Sequence, residues 1–205
     1  WTAGLFERGL HLADELAPYI GPLAGKRVLE LGSAYAGDLV GLCARGADCI
    51  GSDLFEFDHA RLARTLGLGS RLRFIRCDAM KPLPVADHSV DVVMAMEVLE
   101  LVEDLDALFD EMTRVLAPGG LALLTTGVTL KSLRRDPIYG LPLVAGLPNQ
   151  WRRWVAERVF GRGSDFRVSN HNFNSALKFR KYAQPRGYRV VPIKLAGSPI
   201  MARVA

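Results

Sequence analysis

Apolar positions recur along this chain in two periods, and the switches between them outline its elements. From Thr2 to Ile20, Leu5, Phe6, Leu10, Ala13, Leu16 and Ile20 fall at helical intervals, with Pro22 and Gly25 beyond them. That spacing predicts a helix. Val28, Leu29 and Leu31 then form a short apolar run broken by Glu30. Small residues fill most of 32–37, and Leu39, Val40, Leu42 and Cys43 resume a helical spacing. A second run, Ala47 to Ile50, leads to Gly51 and Asp53. The order is strand, tight turn, helix and strand, with an acid closing the second strand.

Further along, the pattern predicts a helix over 55–66, closed by Gly67 and Gly69, and a third strand over 72–75 that leads to Asp78. A fourth strand runs up to Met96, a helix spans 105–116, and a fifth strand spans 121–125. Beyond Thr126 the periodicity breaks up, because Pro137, Gly140, Pro142, Gly146 and Pro148 punctuate short apolar pieces. This predicts a lid or inserted segment. Within it, residues 150–160 read QWRRWVAERVF, and a helix there gathers Trp151, Trp154, Val155 and Val159 on one face, away from Arg152, Arg153 and Glu157. Such a helix packs its tryptophans on the domain, lies on a membrane surface, or closes over an acyl or polyprenyl substrate; the first is the simplest expectation. A closing helix around 176–182 ends near Pro185-Arg186-Gly187. Two strands follow, over 188–195 and 200–205, joined at Gly197-Ser198-Pro199.

The first strand, turn and helix form a unit suited to the adenosine of a cofactor. Small turn residues let backbone approach a ligand, and an acid at the second strand's end accepts ribose hydroxyls. The turn Gly32-Ser33-Ala34-Tyr35-Ala36-Gly37 does not fit the dinucleotide pattern G-x-G-x-x-G, since Ala34 stands at the second glycine. Glu30, just before the turn, repels phosphate and attracts a cation. Taken alone, Glu30 has a second reading as a strand acid paired with Lys26 or Arg27, and Asp53 as a cap of the next helix.

Length and charge narrow the classes. The 205 residues suit one domain, divided here into a cofactor-binding core (1–126), a lid or substrate insert (127–173) and a closing helix with antiparallel hairpin (174–205). No apolar stretch reaches the roughly 18 residues that a membrane span requires. Cys43, Cys49 and Cys77 have no metal-ligand spacing and read as buried free thiols, so a cytoplasmic protein without a metal is expected. Residues 1–126 carry 11 Lys or Arg against 19 Asp or Glu, a net −8, whereas residues 127–205 carry 15 against 3, a net +12. The split suits an acidic half that holds a cationic cofactor and a basic half that meets an anionic substrate, membrane or nucleic acid, unless both are simply solvated faces.

The most specific stretch runs from Asp78-Ala79-Met80 through Leu83-Pro84-Val85-Ala86-Asp87-His88-Ser89-Val90-Asp91-Val92-Val93, then Val98-Leu99-Glu100, then Arg114-Val115-Leu116-Ala117-Pro118-Gly119-Gly120. With the unit at 28–53, these residues closely resemble the class I S-adenosylmethionine-dependent methyltransferases, in unbroken order from Val28 to Thr125. The resemblance implies a Rossmann-like α/β fold with helices on both faces of a mostly parallel seven-stranded sheet, ordered 3-2-1-4-5-7-6. It implies that S-adenosyl-L-methionine is held by Glu30, Gly32, Ser33, Ala34 and Gly37, by Asp53 and Leu54, by Asp78 and Ala79, and by Met96 and Glu97. His171, ahead of the last helix, is the implied candidate base. The cofactor's positive charge agrees with the acids Glu30, Asp53, Asp78 and Glu97.

Two departures stand out: Ala34 and Ala36 replace glycines of the family's turn, and Leu101 replaces a histidine common after the fourth strand. The expected activity is methyl transfer to a small-molecule or lipid-like, anionic acceptor, with peripheral membrane contact through 150–160 as an accompanying expectation. A non-catalytic methyltransferase-like subunit is the alternative that the two alanines motivate. An RNA methyltransferase is a further one, disfavoured because Met94-Ala95-Met96-Glu97 stands where an N-P-P-Y type tetrad would be.

Overall fold

A computed structural model describes residues 2–99, 101–125, 141–144, 147, 151, 154–161, 176–195 and 198–204. Helix α1, Thr2–Ile20, precedes β1, Arg27–Leu31, as the spacing predicts. There follow α2 (Gly37–Ala44), β2 (Asp48–Asp53), α3 (His59–Thr65), β3 (Leu72–Arg76), β4 (Val90–Ala95), α4 (Leu105–Val115) and β5 (Leu116–Leu124). Helix α5, Ala176–Ala183, then leads into β6, Tyr188–Leu195, and β7, Ser198–Val204.

The sheet runs β3-β2-β1-β4-β5-β7-β6. Strands β1 to β5 are parallel, and β7 pairs antiparallel with both β5 and β6. Because the side-chain period is two, Leu29, Leu31, Val93, Ala95, Ala122 and Leu124 pack with Leu108, Phe109 and Met112 of α4. Val28, Val92, Met94, Leu121 and Leu123 pack with Leu12 and Leu16 of α1 and Leu39 and Leu42 of α2. Each face of the parallel sheet is therefore covered, which explains strands apolar on both sides. Helices α1 and α2 cross at Gly9 and Gly41, where a Cβ would lie 2.2 Å from the Asp38 carbonyl oxygen or 2.5 Å from that of Phe6.

Three boundaries differ from the sequence reading. Helix α3 starts at His59, because the Asp58 carboxylate caps it by accepting the Arg61 N–H at 2.7 Å. Strand β5 begins at Leu116, five residues early, and passes through Pro118-Gly119-Gly120 with a register shift against β4 between Val90 and Val92. In the insert, Val155–Val159 is one π-helical turn, with Ala156 buried beside Leu141 and Val144. Trp151 and Trp154 meet edge to face at 6.3 Å but are 56% and 53% exposed, and Val159 is 60% exposed. Of the apolar stripe, only Val155 packs against that cluster, and the other three residues face outward, contrary to the simplest expectation.

Arg114 accounts for part of the motif that carries the resemblance. Its guanidinium donates to the carbonyls of Leu83 and Val85 and to the carboxylates of Asp87 and Glu111, tying the loop before β4 to α4. Its role is architectural. Cys43 and Cys49 are buried free thiols and Cys77 is half-buried. No helix among the described residues is long and apolar enough to cross a membrane.

Candidate functional site

The sheet reverses its winding between β1 and β4, and in open α/β sheets the crevice outside the carboxyl ends of the strands at such a switch is where ligands bind. The proposed cofactor residues lie along this edge: Glu30 near the end of β1, Gly32 to Gly37 after it, Asp53 and Leu54 at the end of β2, Asp78 and Ala79 beyond β3, and Met96 and Glu97 beyond β4. His171 lies outside the described residues.

Glu30 is 3% exposed, and its Oε2 has no hydrogen-bond partner. Burial, then the nearby charge of Asp38, pushes its carboxyl well above the ordinary range, against the pull of Arg8. It does not pair with Lys26, which reaches Asp91 at 3.2 Å. A buried carboxyl with an unmatched oxygen is the donor set for a cationic group.

The turn after β1 takes a demanding shape. Gly32 has φ +70°, and a Cβ there would fall 2.4 Å from Val98 Cγ2. Ala34 and Ala36 sit at φ 41° and 54°, where glycine is at ease and alanine is not. Gly37 opens α2, and its missing Cβ leaves room for Leu5 of α1. Ser33 is buried, its Oγ without a partner.

Asp53 fastens this turn to β2. Its Oδ2 accepts the Ala34 N–H and its Oδ1 accepts the Phe55 N–H, each at 3.1 Å. It caps no helix, and each oxygen keeps a further lone pair for a ligand hydroxyl. Leu54 and Phe55 are 55% and 68% exposed on the adjoining lip. Asp78 closes a local turn by accepting the Met80 N–H at 3.0 Å, with Ala79 half-buried beside it.

Across the crevice, Glu97 stands at φ 59°. Its N–H donates to Thr125 Oγ1 at 2.9 Å, and that hydroxyl donates back to Glu97 Oε1 at 3.2 Å. Glu97 opens partly to solvent, yet desolvation against the strand ends raises its carboxyl. Met96 is half-buried at the same edge.

Three contributors escaped the sequence reading. Arg8 of α1 grips the buried Asp38 with two hydrogen bonds, and its charge acts on both Glu30 and Glu97. Nothing in a lone arginine on an amphipathic helix signals that reach. Thr125 looked like the last residue of a strand. His59, within the helix predicted over 55–66, is 2% exposed, with Nε2 2.8 Å from the Ala34 carbonyl oxygen. His88 does lie near the surface, at the opposite edge, where Nδ1 is 3.0 Å from the Leu116 carbonyl.

The crevice thus presents an unmatched buried acid at the sheet's centre, a second raised acid across from it, and an aspartate at the end of β2. These residues fit S-adenosylmethionine, a cation with ribose hydroxyls. A family profile described as "Methyltransferase domain" matches residues 29–124. A ubiquinone biosynthesis O-methyltransferase of Sinorhizobium medicae is 34% identical over 125 residues, 57% of this chain and 50% of that protein. A sterol 24-C-methyltransferase of Gibberella zeae is 34% identical over 110 residues, 52% of this chain and 29% of that protein. The chain spans about half the length, or less, of these curated relatives. Among solved structures, the CurJ carbon methyltransferase shares the fold at a TM-score of 0.62 and 18% identity, over 96% of this chain and 54% of that one. So does the Haemonchus contortus phosphoethanolamine N-methyltransferase 2 in complex with S-adenosyl-L-methionine, at 0.59 and 21%, over 88% and 37%. Over residues 29–124 the chain is thus similar in sequence to S-adenosylmethionine-dependent methyltransferase domains.

Proposed function

We propose that the chain transfers a methyl group from S-adenosylmethionine to a small-molecule or lipid-like acceptor, and that the crevice at the β1–β4 switch holds the cofactor. The observation that carries this reading is the buried Glu30 carboxyl with an oxygen lacking any partner, beside the raised Glu97. When bound, the cofactor supplies an activated sulfonium whose methyl leaves in a direct displacement. The residues then have to align, shield and, for an oxygen acceptor, remove a proton. Glu30 and Glu97 lie toward the cationic end and supply negative charge as they ionise, and Asp53 accepts from the ribose hydroxyls. Arg8 has the sign to meet the carboxylate. Asp78, Ala79 and Leu54 border the adenine. His171 is the proposed base, and His171→Gln is expected to lower kcat while leaving cofactor affinity unchanged.

The acceptor reading rests on the insert. Leu143, Trp151, Trp154, Val159 and Phe160 are each more than half exposed, within a segment rich in arginine. Such a surface suits an apolar acceptor with an anionic end, and peripheral contact with a membrane that carries one. The names of relatives that act in ubiquinone and sterol pathways support the lipid-like class. The second reading, a non-catalytic subunit, draws on Ala34 and Ala36 at left-handed positions.

Calorimetric titration of the purified chain with S-adenosylmethionine, S-adenosylhomocysteine and NAD tests the cofactor. Micromolar binding of the first two and none of NAD is expected. Turnover of quinol, sterol and other isoprenoid acceptors then separates the two readings: binding without turnover of any acceptor favours the subunit, and no binding by a folded sample removes the proposal.

A further inference from the structure

The crevice acids do not explain why the turn keeps two alanines where glycine belongs, nor why a histidine lies buried beneath it. We infer that His59 is a positioning residue for this turn: its imidazole holds the Ala34 carbonyl, and so keeps a glycine-poor turn and the Asp53 carboxylate in binding geometry. The inference rests on the reading of the crevice as the cofactor site.

Ala34 is gripped at both ends. Its N–H donates to Asp53 Oδ2 at 3.1 Å, and its carbonyl oxygen lies 2.8 Å from His59 Nε2. A carbonyl only accepts, so Nε2 carries the proton in this contact. The rest of the turn is held by backbone alone, Ala36 N–H to the Ser33 carbonyl at 2.7 Å within the turn and Ser33 N–H to the Ser52 carbonyl of β2 at 2.9 Å. Left-handed backbone is unfavourable for alanine at both Ala34 and Ala36, so this shape needs an external hold that glycines would not require.

The surroundings of His59 are arranged for that single contact. Phe74 meets the ring edge-on at 4.7 Å, and Phe57 lies at 6.3 Å on another side. Gly51 provides the space: a Cβ there would fall 2.5 Å from His59 Cε1, 2.7 Å from Nδ1 and 2.6 Å from Ser33 Oγ. Gly51 has no positive φ, so room for the ring, not backbone freedom, accounts for a glycine inside β2. His59 Nδ1 is buried with no partner, so the Nε2 bond is what offsets taking the imidazole out of water. Residues 34, 51 and 59, far apart in sequence, thus serve one hydrogen bond. The chain obtains from outside the turn what glycines at 34 and 36 would supply from within.

The test combines four variants of the purified chain with two readouts. One is S-adenosylhomocysteine affinity by calorimetry. The other is amide hydrogen exchange at Ala34 and Ala36 without cofactor, with Leu123 as the core reference. His59→Leu keeps bulk without a donor, and is expected to weaken binding about tenfold and to speed exchange at Ala34 and Ala36 but not Leu123. His59→Gln retains a donor at the corresponding atom and is expected to restore affinity to within about threefold. Gly51→Ala, whose Cβ displaces the ring while His59 itself is unchanged, is expected to reproduce His59→Leu. In an Ala34→Gly background the loss caused by His59→Leu is expected to shrink below about threefold, because glycine needs no hold. Unchanged exchange at Ala34 and Ala36 in His59→Leu overturns the inference, as does an equal loss with and without Ala34→Gly. A folded wild type that binds no S-adenosylhomocysteine counts against the cofactor reading alone, since the exchange readout still decides the hold. Should His59→Leu fail to fold, His59→Gln and Gly51→Ala decide it by the same readouts.

Discussion

The cofactor edge and the insert solve opposite problems. At the cofactor edge the parallel strands pack against α1, α2 and α4, and three acids are anchored, Asp53 by two backbone N–H groups, Glu97 by Thr125 and Asp38 by Arg8, while Glu30 keeps one oxygen without a partner. Among the described residues of the insert, three buried ones form a cluster, and five large apolar side chains face outward. Anchored charge suits a ligand shared by many reactions, whereas exposed apolar surface suits a partner that differs between relatives. The difference separates what the sheet must hold constant from what it leaves to vary.

The largest expected effect tests the packed side of that comparison. Phe109 is fully buried, stacked on Tyr182 at 5.8 Å and edge-on to Tyr188 at 6.3 Å, where α4 meets α5 and the start of β6. Phe109→Ala is expected to lower unfolding free energy by about 3–5 kcal/mol in urea titration. A loss below about 1 kcal/mol would mean that the two halves of the fold are not joined through this contact.

Glu30→Gln comes next and separates charge from shape. Because the folded-state carboxyl of Glu30 is raised above its ordinary value of 4.5, the folded chain holds a proton that the unfolded chain releases. Stability from this group is therefore lost as pH rises upward from 4.5, and Glu30→Gln is expected to flatten that slope in thermal melts. Ligand binding has the opposite sign: a sulfonium gains as Glu30 ionises, so affinity for S-adenosylmethionine relative to its neutral-sulfur product is expected to rise with pH over the same window. In Glu30→Gln, S-adenosylmethionine is expected to lose about 1–3 kcal/mol of binding and S-adenosylhomocysteine less. Equal losses for both ligands would remove Glu30 from the sulfonium's surroundings.

How far the sequence foretold these features follows from the range of the forces. Periodicity located α1 and the parallel strands because each element buries a face set by its own neighbours. The same local order brought Glu30, Asp53, Asp78 and Glu97 to one edge, since each follows or closes a strand. Arg8, Thr125 and His59 were not legible: their contacts span 30, 28 and 25 residues, and nothing local distinguishes a histidine that grips a distant carbonyl from one on a surface helix. The early start of β5 was hidden for a different reason. Pro118 and Gly119 are residue types that interrupt strands, yet the register shift opposite Val90 lets the strand continue through them.

Ala36→Gly is a smaller effect of opposite sign. Ala36 caps the start of α2 at φ 54° without a side-chain bond. Glycine relieves the left-handed backbone but costs unfolded-state entropy, so a net gain of about 0.5–1 kcal/mol is expected in the urea midpoint. A loss would show that packing around the buried methyl outweighs the backbone term.

The smallest effect on stability is expected where the exposed surface is largest. Trp154 is 53% exposed and touches Trp151 edge to face, so Trp154→Ala removes little buried area and is expected to change unfolding free energy by no more than about 0.5 kcal/mol. Its effect is expected to appear in sedimentation with vesicles instead. Wild type is expected to bind vesicles containing anionic lipid more than neutral ones, and Trp154→Ala to reduce binding to both, because the ring contributes apolar contact and the arginines contribute charge. A variant that sediments like wild type, or equal partition between anionic and neutral vesicles, would leave the aromatic surface to the acceptor alone. A stability loss of about 2 kcal/mol or more would mean that Trp154 is part of the fold's packing, and the contrast between a packed cofactor edge and an open insert would fail at this residue.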